Sequence, residues 1–158
     1  MQEVNFAVLE GCKPNELLPR LGLVVNFLLK EKPDLKGLKR FFKEHDFYNK
    51  ERFEILLNFL DIDCSNEKQV KAGEFLTKLS KIIDPEDRKR HLFKHLTLKN
   101  EILMKYIMDA LAERLHSTNE MYRYITSYVY PGYMPTLVDF RAWVDWLEAS
   151  EAIKTVGI

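Results

Sequence analysis

The sequence predicts an all-α or mostly α protein with minimal β structure, arranged as two three-helix units packed through central helices. Three observations carry this prediction. Apolar residues recur at helical spacing through most of the chain. Cap residues and prolines punctuate those stretches at short intervals. And residues 136–147 repeat the apolar, polar and capping pattern of residues 49–60 at an offset of 87 residues.

Taken in order, Pro14 and Asn15 open a first helix with Leu17, Leu18, Leu21, Val24, Val25 and Leu28 on its apolar positions. It stops before Pro33, because the residue preceding proline resists the helical region. Asp34 caps a short second helix with Leu35, Leu38, Phe41 and Phe42 inward. Asn49 is expected to cap a third, carrying Phe53, Leu56, Leu57 and Leu60. Three helices joined by short turns read as a helix-turn-helix unit. The stretch "DIDCSNEKQVKAGEFLT" admits a two-stranded wing, but Phe75, Leu76, Leu79, Ile82 and Ile83 keep helical spacing, which favours a helix over 67–83 in spite of Gly73. Pro85 starts the next helix, with Leu92, Phe93 and Leu96 inward. Asn100 and Asn119 are expected to cap two more. "YPGYMPT" is a loop. Thr136 and Asp139 resemble a capping box ahead of a helix that buries Phe140, Trp143, Val144 and Leu147, and a short strand is expected over 152–156. The expected organisation is a first unit over 1–65, connecting helices over 66–99 and a second unit over 100–158.

In the repeat, Phe53 aligns with Phe140, Leu56 with Trp143, Leu57 with Val144, Phe59 with Trp146 and Leu60 with Leu147; Asn49 aligns with Thr136, cap on cap. The run "FRAWVDWLEASEAIKTVGI" resembles the third helix and first wing strand of winged-helix domains. The middle run "FLTKLSKIIDPEDRKRHLFKHL" resembles the segment after the first unit of tandem winged-helix modules. That resemblance implies a module of bacterial DNA-handling and ATPase systems. Glu151 stands where the family prefers glycine, and a side chain there makes the sharp left-handed turn costly and so puts it in doubt. A winged-helix unit returns a second strand, so the segment 152–158 is expected to pair elsewhere: with the "DIDCS" segment, with a second copy of the chain, or with more of a longer polypeptide.

The 158 residues are 46% hydrophobic and 12% aromatic, enough for a packed core, and Lys plus Arg balances Asp plus Glu at 24 each, so the formal net charge is zero. A dedicated nucleic-acid binder carries a basic excess. Here any such role must rest on local patches. Around the second helix, Lys30, Lys32, Lys36, Lys39, Arg40 and Lys43 stand against Glu31 and Asp34, a local excess of four. A second basic run is Arg88, Lys89, Arg90, Lys94 and Lys99. The expected nucleic-acid contacts are Lys36, Lys39, Arg40, Lys43, Lys50, Arg52, Arg88, Lys89 and Arg90, acting on phosphates rather than bases. The helix over 137–149 carries Asp139, Asp145 and Glu148 against Arg141 alone, which makes it a poor reader of the major groove.

No phosphate loop, nucleophile elbow or metalloprotease motif is present. His91 and His95, one helical turn apart near Asp87, lack a third metal ligand and are expected to lie solvated beside an apolar face. No metal or cofactor is expected, and the chain is not expected to be an enzyme. Cys12 and Cys64 form no metal-binding pair, and a reducing, cytoplasmic setting fits them. No run is long and apolar enough for a membrane span. Tyr130, Tyr133 and Trp146 are the expected partner-binding aromatics, Trp146 being one step off the Trp143–Leu147 face. The sequence therefore points to a non-catalytic interaction or adaptor module of a nucleic-acid-handling system, regulatory or defensive. Its partner would be a protein, a second copy or further domains. The alternative is direct, largely non-specific binding of double-stranded DNA.

Overall fold

The computed structural model describes residues 7, 9, 11–114, 116–129 and 136–154, the Val129 side chain excepted. These residues form an all-α architecture: α1 (Pro14–Glu31), α2 (Leu35–Glu44), α3 (Phe53–Phe59), α4 (Glu74–Lys81), α5 (Pro85–Lys99), α6 (Glu101–Glu113), α7 (Thr118–Tyr124), which runs on into a π-helical turn (Ile125–Val129), and α8 (Leu137–Ala149). The only β feature among them is a single antiparallel bridge between Asp63 and Lys71.

Local chemistry sets most boundaries. Pro14 opens α1, and Lys32 ends it in a left-handed conformation (φ 45°) ahead of Pro33. The Asp34 carboxylate accepts from the Gly37 amide at 2.7 Å. Thr136 Oγ1 accepts from the Asp139 amide at 3.1 Å, so α8 begins at the expected cap. Two expected caps move. The Asn49 side chain accepts from the Glu51 amide at 3.0 Å, a turn of its own that holds the chain out of helix until Arg52. Ser117, not Asn119, caps α7, its hydroxyl accepting from the Glu120 amide at 3.1 Å.

The helix expected over 67–83 is confined to α4. Asp63 and Asn66 accept from the amides of Ser65 and Lys68, and these local bonds compete with helix formation. Gly73 then lies so close to the Asp61 carbonyl oxygen that a Cβ atom would stand 2.2 Å from it. The chain ahead of α4 instead docks on the start of α2, where Leu35 donates to Glu67 and Val70 to Pro33 through the main chain.

Three helices end alike. After α2, α3 and α8 the chain enters the left-handed region at Asp46 (φ 59°), Asp61 (φ 56°) and Glu151 (φ 59°). In each case the next residue donates back into the helix, Phe47 to Phe42, Ile62 to Leu57 and Ala152 to Leu147. An acidic residue thus takes the place usually held by glycine. The doubt raised by Glu151 is removed: the turn forms, and the Glu151 carboxylate lies 2.6 Å from Lys89 Nζ. Ala152 and Ile153 continue it as a bend rather than a strand, while residues 155–158 lie outside the described residues.

Both repeat segments are helical, but α8 extends one turn further than α3 at each end of the alignment. They lie together in one core. α8 packs against α1, α5 and α7, and α1 packs against α4 as well. The Phe59 ring meets Trp146 at 5.3 Å and Trp143 at 6.2 Å between centroids. Both tryptophans are fully buried, and Trp146 Nε1 donates to the Ala7 carbonyl at 2.9 Å.

Helix α5 braces this core. His95, 6% exposed, places Nε2 2.6 Å from the Phe59 carbonyl, and its ring stacks on Phe75 at 3.7 Å. His91 bonds the Phe75 carbonyl at 2.9 Å. Lys99 reaches Asp61 at 2.5 Å and the Asn58 carbonyl at 3.3 Å, and Lys89 reaches Glu151 at the opposite end of the helix. The histidines expected to be solvated are structural instead: His95 meets the Phe59 carbonyl at the C-terminal end of α3, where no further turn supplies a donor, and His91 adds a bond to the Phe75 carbonyl in the first turn of α4.

Burial holds the His95 imidazole below its ordinary value of 6.5, against the opposing hydrogen bond to Phe59, so the ring is neutral when folded. The unfolded chain takes up a proton that the folded chain refuses as pH falls below that value. Stability should therefore be full above pH 6.5 and decline below it, by up to about 1.4 kcal/mol per pH unit until the folded ring also titrates. Urea unfolding of the wild type and of His95→Gln across this range checks it, the variant losing this component. Two glycines give a second test. Gly73→Ala should destabilise by more than 1 kcal/mol through the Asp61 contact, whereas Gly22→Ala, in mid-helix with open space around it, should stabilise by roughly 0.5–1 kcal/mol.

Candidate interaction surface

Helix α2 buries Leu38 and Phe42 completely and turns the opposite face outward. Lys36, Arg40 and Lys43, spaced by one turn each, form a solvent-exposed stripe on that face. Lys39 and Lys43 lie over aromatic rings, Nζ standing 6.0 Å from the Phe53 centroid and 4.9 Å from that of Tyr48. Among the described residues no carboxylate pairs with Lys36, Lys39, Arg40 or Lys43. Lys50 is exposed on the turn leading to α3.

The other expected contacts are placed differently. Arg52 at the start of α3 forms an ion pair with Asp139 in the first turn of α8, Nη2 to Oδ1 at 2.8 Å. Asp139 therefore joins two helices as well as donating its amide to Thr136. On α5, Arg88 Nε donates to the Ile82 carbonyl at 2.7 Å, Lys89 contacts Glu86 and Glu151, and Arg90 contacts Asp87 at 3.0 Å. Hydrogen bonds donated to Glu151 and Glu86 raise the Lys89 pKa, and the bond from Lys89 lowers that of Glu151. In the fold, four of the five α5 cations, Arg88, Lys89, Arg90 and Lys99, bond within the chain, Lys94 staying exposed, whereas none of the four α2 cations pairs with a carboxylate among the described residues.

Between α2 and α3 lies an open cleft of about 550 Å³. Leu35, Phe53, Leu57 and Ile62 supply its apolar lining, and Cys64 is half-buried beside them. Its charged members are Lys39 and Lys50 with Glu51, Glu54 and Glu67. Burial, with Asp63 and Glu67 nearby, raises the Cys64 pKa, so the thiol stays protonated near neutrality. Sequence periodicity assigns Phe53 and Leu57 to the core and does not reveal the cleft. The alternating charges of "YNKERFEILL" around them are the one local signal.

Of the expected partner-binding aromatics, Trp146 is corrected: it is 1% exposed, because α8 is covered by α1, α5 and α7 rather than presenting one buried face. Apolar residues at four positions of 143–147 are the signal for such a helix. Tyr130 and Tyr133 lie outside the described residues. Nearby, Tyr122 packs on Phe140, while Tyr128 is 78% exposed and rests against Tyr124 at 5.7 Å.

Among the described residues no group of three or more His, Cys, Asp or Glu side chains gathers in a metal-binding set, and no helix is long and apolar enough to cross a membrane. Comparison with protein-family models, curated proteins and solved structures finds no significant match.

If Arg52 serves the α3–α8 junction, Arg52→Ala should lower stability by about 1 kcal/mol, and Asp139→Ala in that background should add little more. A double-mutant cycle read by chemical denaturation measures that coupling; additive losses would dissociate the pair.

Proposed function

We propose that this chain is a non-catalytic interaction module of a nucleic-acid-handling system, engaging an acidic protein partner through the outer face of α2. One observation carries the reading: Lys36, Lys39, Arg40 and Lys43 pair with no carboxylate among the described residues, while Arg52 and four of the five cations of the α5 run, Arg88, Lys89, Arg90 and Lys99, bond within the chain. The use of the histidines supports a binding rather than a chemical role. All four bond main-chain carbonyls: His45 that of Phe41, His91 that of Phe75, His95 that of Phe59 and His116 that of Ala110. The link to nucleic-acid handling rests on the winged-helix resemblance of the C-terminal and middle runs alone.

The same four cations support a second reading, weak and non-specific binding to duplex DNA. Glu51 and Glu54, beside them at the start of α3, oppose a phosphate backbone there. Four phosphate contacts would cost about two orders of magnitude in affinity between roughly 50 and 200 mM salt.

Affinity enrichment with the wild type and with a variant in which Lys36, Lys39, Arg40 and Lys43 are all glutamate separates the readings. The protein-partner reading expects a bound protein that resists nuclease and is lost with the variant. Release of everything by nuclease, together with a salt-sensitive gel shift abolished in the variant, would establish direct DNA binding instead.

A further inference from the structure

The outer stripe of α2 borders the cleft between α2 and α3, and Lys39, half-buried beside the stripe, lines the cleft. We propose that this cleft receives a segment of the partner protein that inserts one large apolar side chain and carries a carboxylate beside it. The inference rests on the reading of the chain as an interaction module and names what the partner presents.

Three features of the cleft lead there. Its volume of about 550 Å³ lies within the range of sites that enclose a ligand group, and an aromatic or branched side chain fits it readily. The half-buried Leu35, Tyr48 and Cys64 supply its accessible apolar lining over a floor of buried Phe53, Leu57 and Ile62, so an apolar group entering it displaces water from a preformed surface. Lys39 stands above that lining, its Nζ 6.0 Å from the Phe53 centroid, and Lys50 stands on the turn beside it. A carboxylate one residue from the apolar anchor would meet these two cations.

The same rim disfavours a nucleic acid in the cleft. Glu51, Glu54 and Glu67 share the cleft with the two lysines, so a phosphate backbone laid across it meets three like charges. A polypeptide can answer both signs, with an acidic residue toward Lys39 and Lys50 and a basic one toward the glutamates. Rim charges of this kind set orientation and discrimination, while the buried anchor supplies most of the affinity.

Cys64 provides a reporter inside the cleft. In a Cys12→Ser variant it is the sole thiol, and its alkylation by N-ethylmaleimide can be followed while probes are added. The probes are synthetic peptides with a central phenylalanine flanked by glutamate on one side and lysine on the other, the same peptides with alanine at the centre, peptides with lysine on both sides, and a short DNA duplex. The first should slow alkylation saturably, by about tenfold, and the alanine peptide should not. Lys39→Glu should weaken the glutamate-bearing peptide about tenfold, and the peptide with lysine on both sides should recover binding to that variant. A thermal melt confirms that each variant is folded. Equal protection by all peptides, protection by the duplex, or no protection by any probe overturns the cleft as the docking site. A nuclease-resistant partner retained by Lys39→Glu would do the same while leaving the interaction-module reading intact.

Discussion

The architecture depends on Phe59, the last residue of α3. Its ring lies against both tryptophans of α8, and its carbonyl accepts the His95 hydrogen bond from α5. A helix of two turns is marginal by itself and leaves its final carbonyls without partners. α3 is held because α5 meets those carbonyls, through His95 and Lys99, in the same place where α8 covers the ring. Loss of the His95 donor would leave a buried carbonyl unsatisfied at the centre of the core, a larger penalty than the loss of an exposed hydrogen bond.

Charge is deployed in two ways. On α5 it is structural: Lys89 and Lys99 hold acidic residues that sit in left-handed turns after α8 and α3. Glycine would enter such turns with less strain, but it could not be gripped from a neighbouring helix. On α2 the cations line an open face where no carboxylate among the described residues pairs with them. A sequence neutral overall thus produces one helix face of unpaired cations, and that contrast supports assigning binding to α2 rather than α5.

The fold class and most helix positions were legible because 3.6-residue periodicity and side-chain caps are local. Asp34, Pro85 and Thr136 act where local chemistry says they should. Asn49, Asn66 and Asn119 mark the limit of that reasoning. An asparagine can cap a helix, close a turn of its own or lie within the first turn, and the choice depends on what the flanking chain docks against. The sequence also reads α8 as an amphipathic helix with one face outward. The error at Trp146 arises because the number of neighbours packed around a helix is not a local property.

The sequence by itself determined an all-α chain, the approximate extent of its helices, and two basic runs, one on α2 and one on α5. Tertiary structure alone decided which run is spent. That outcome turns on whether a carboxylate or carbonyl from a distant segment comes within reach, as Glu151 does for Lys89 across 62 residues and Asp61 does for Lys99 across 38. It also decided that Phe53 and Leu57 line a cleft and that His95 is buried. Helical spacing reports which residues share a face, but only packing determines what that face meets.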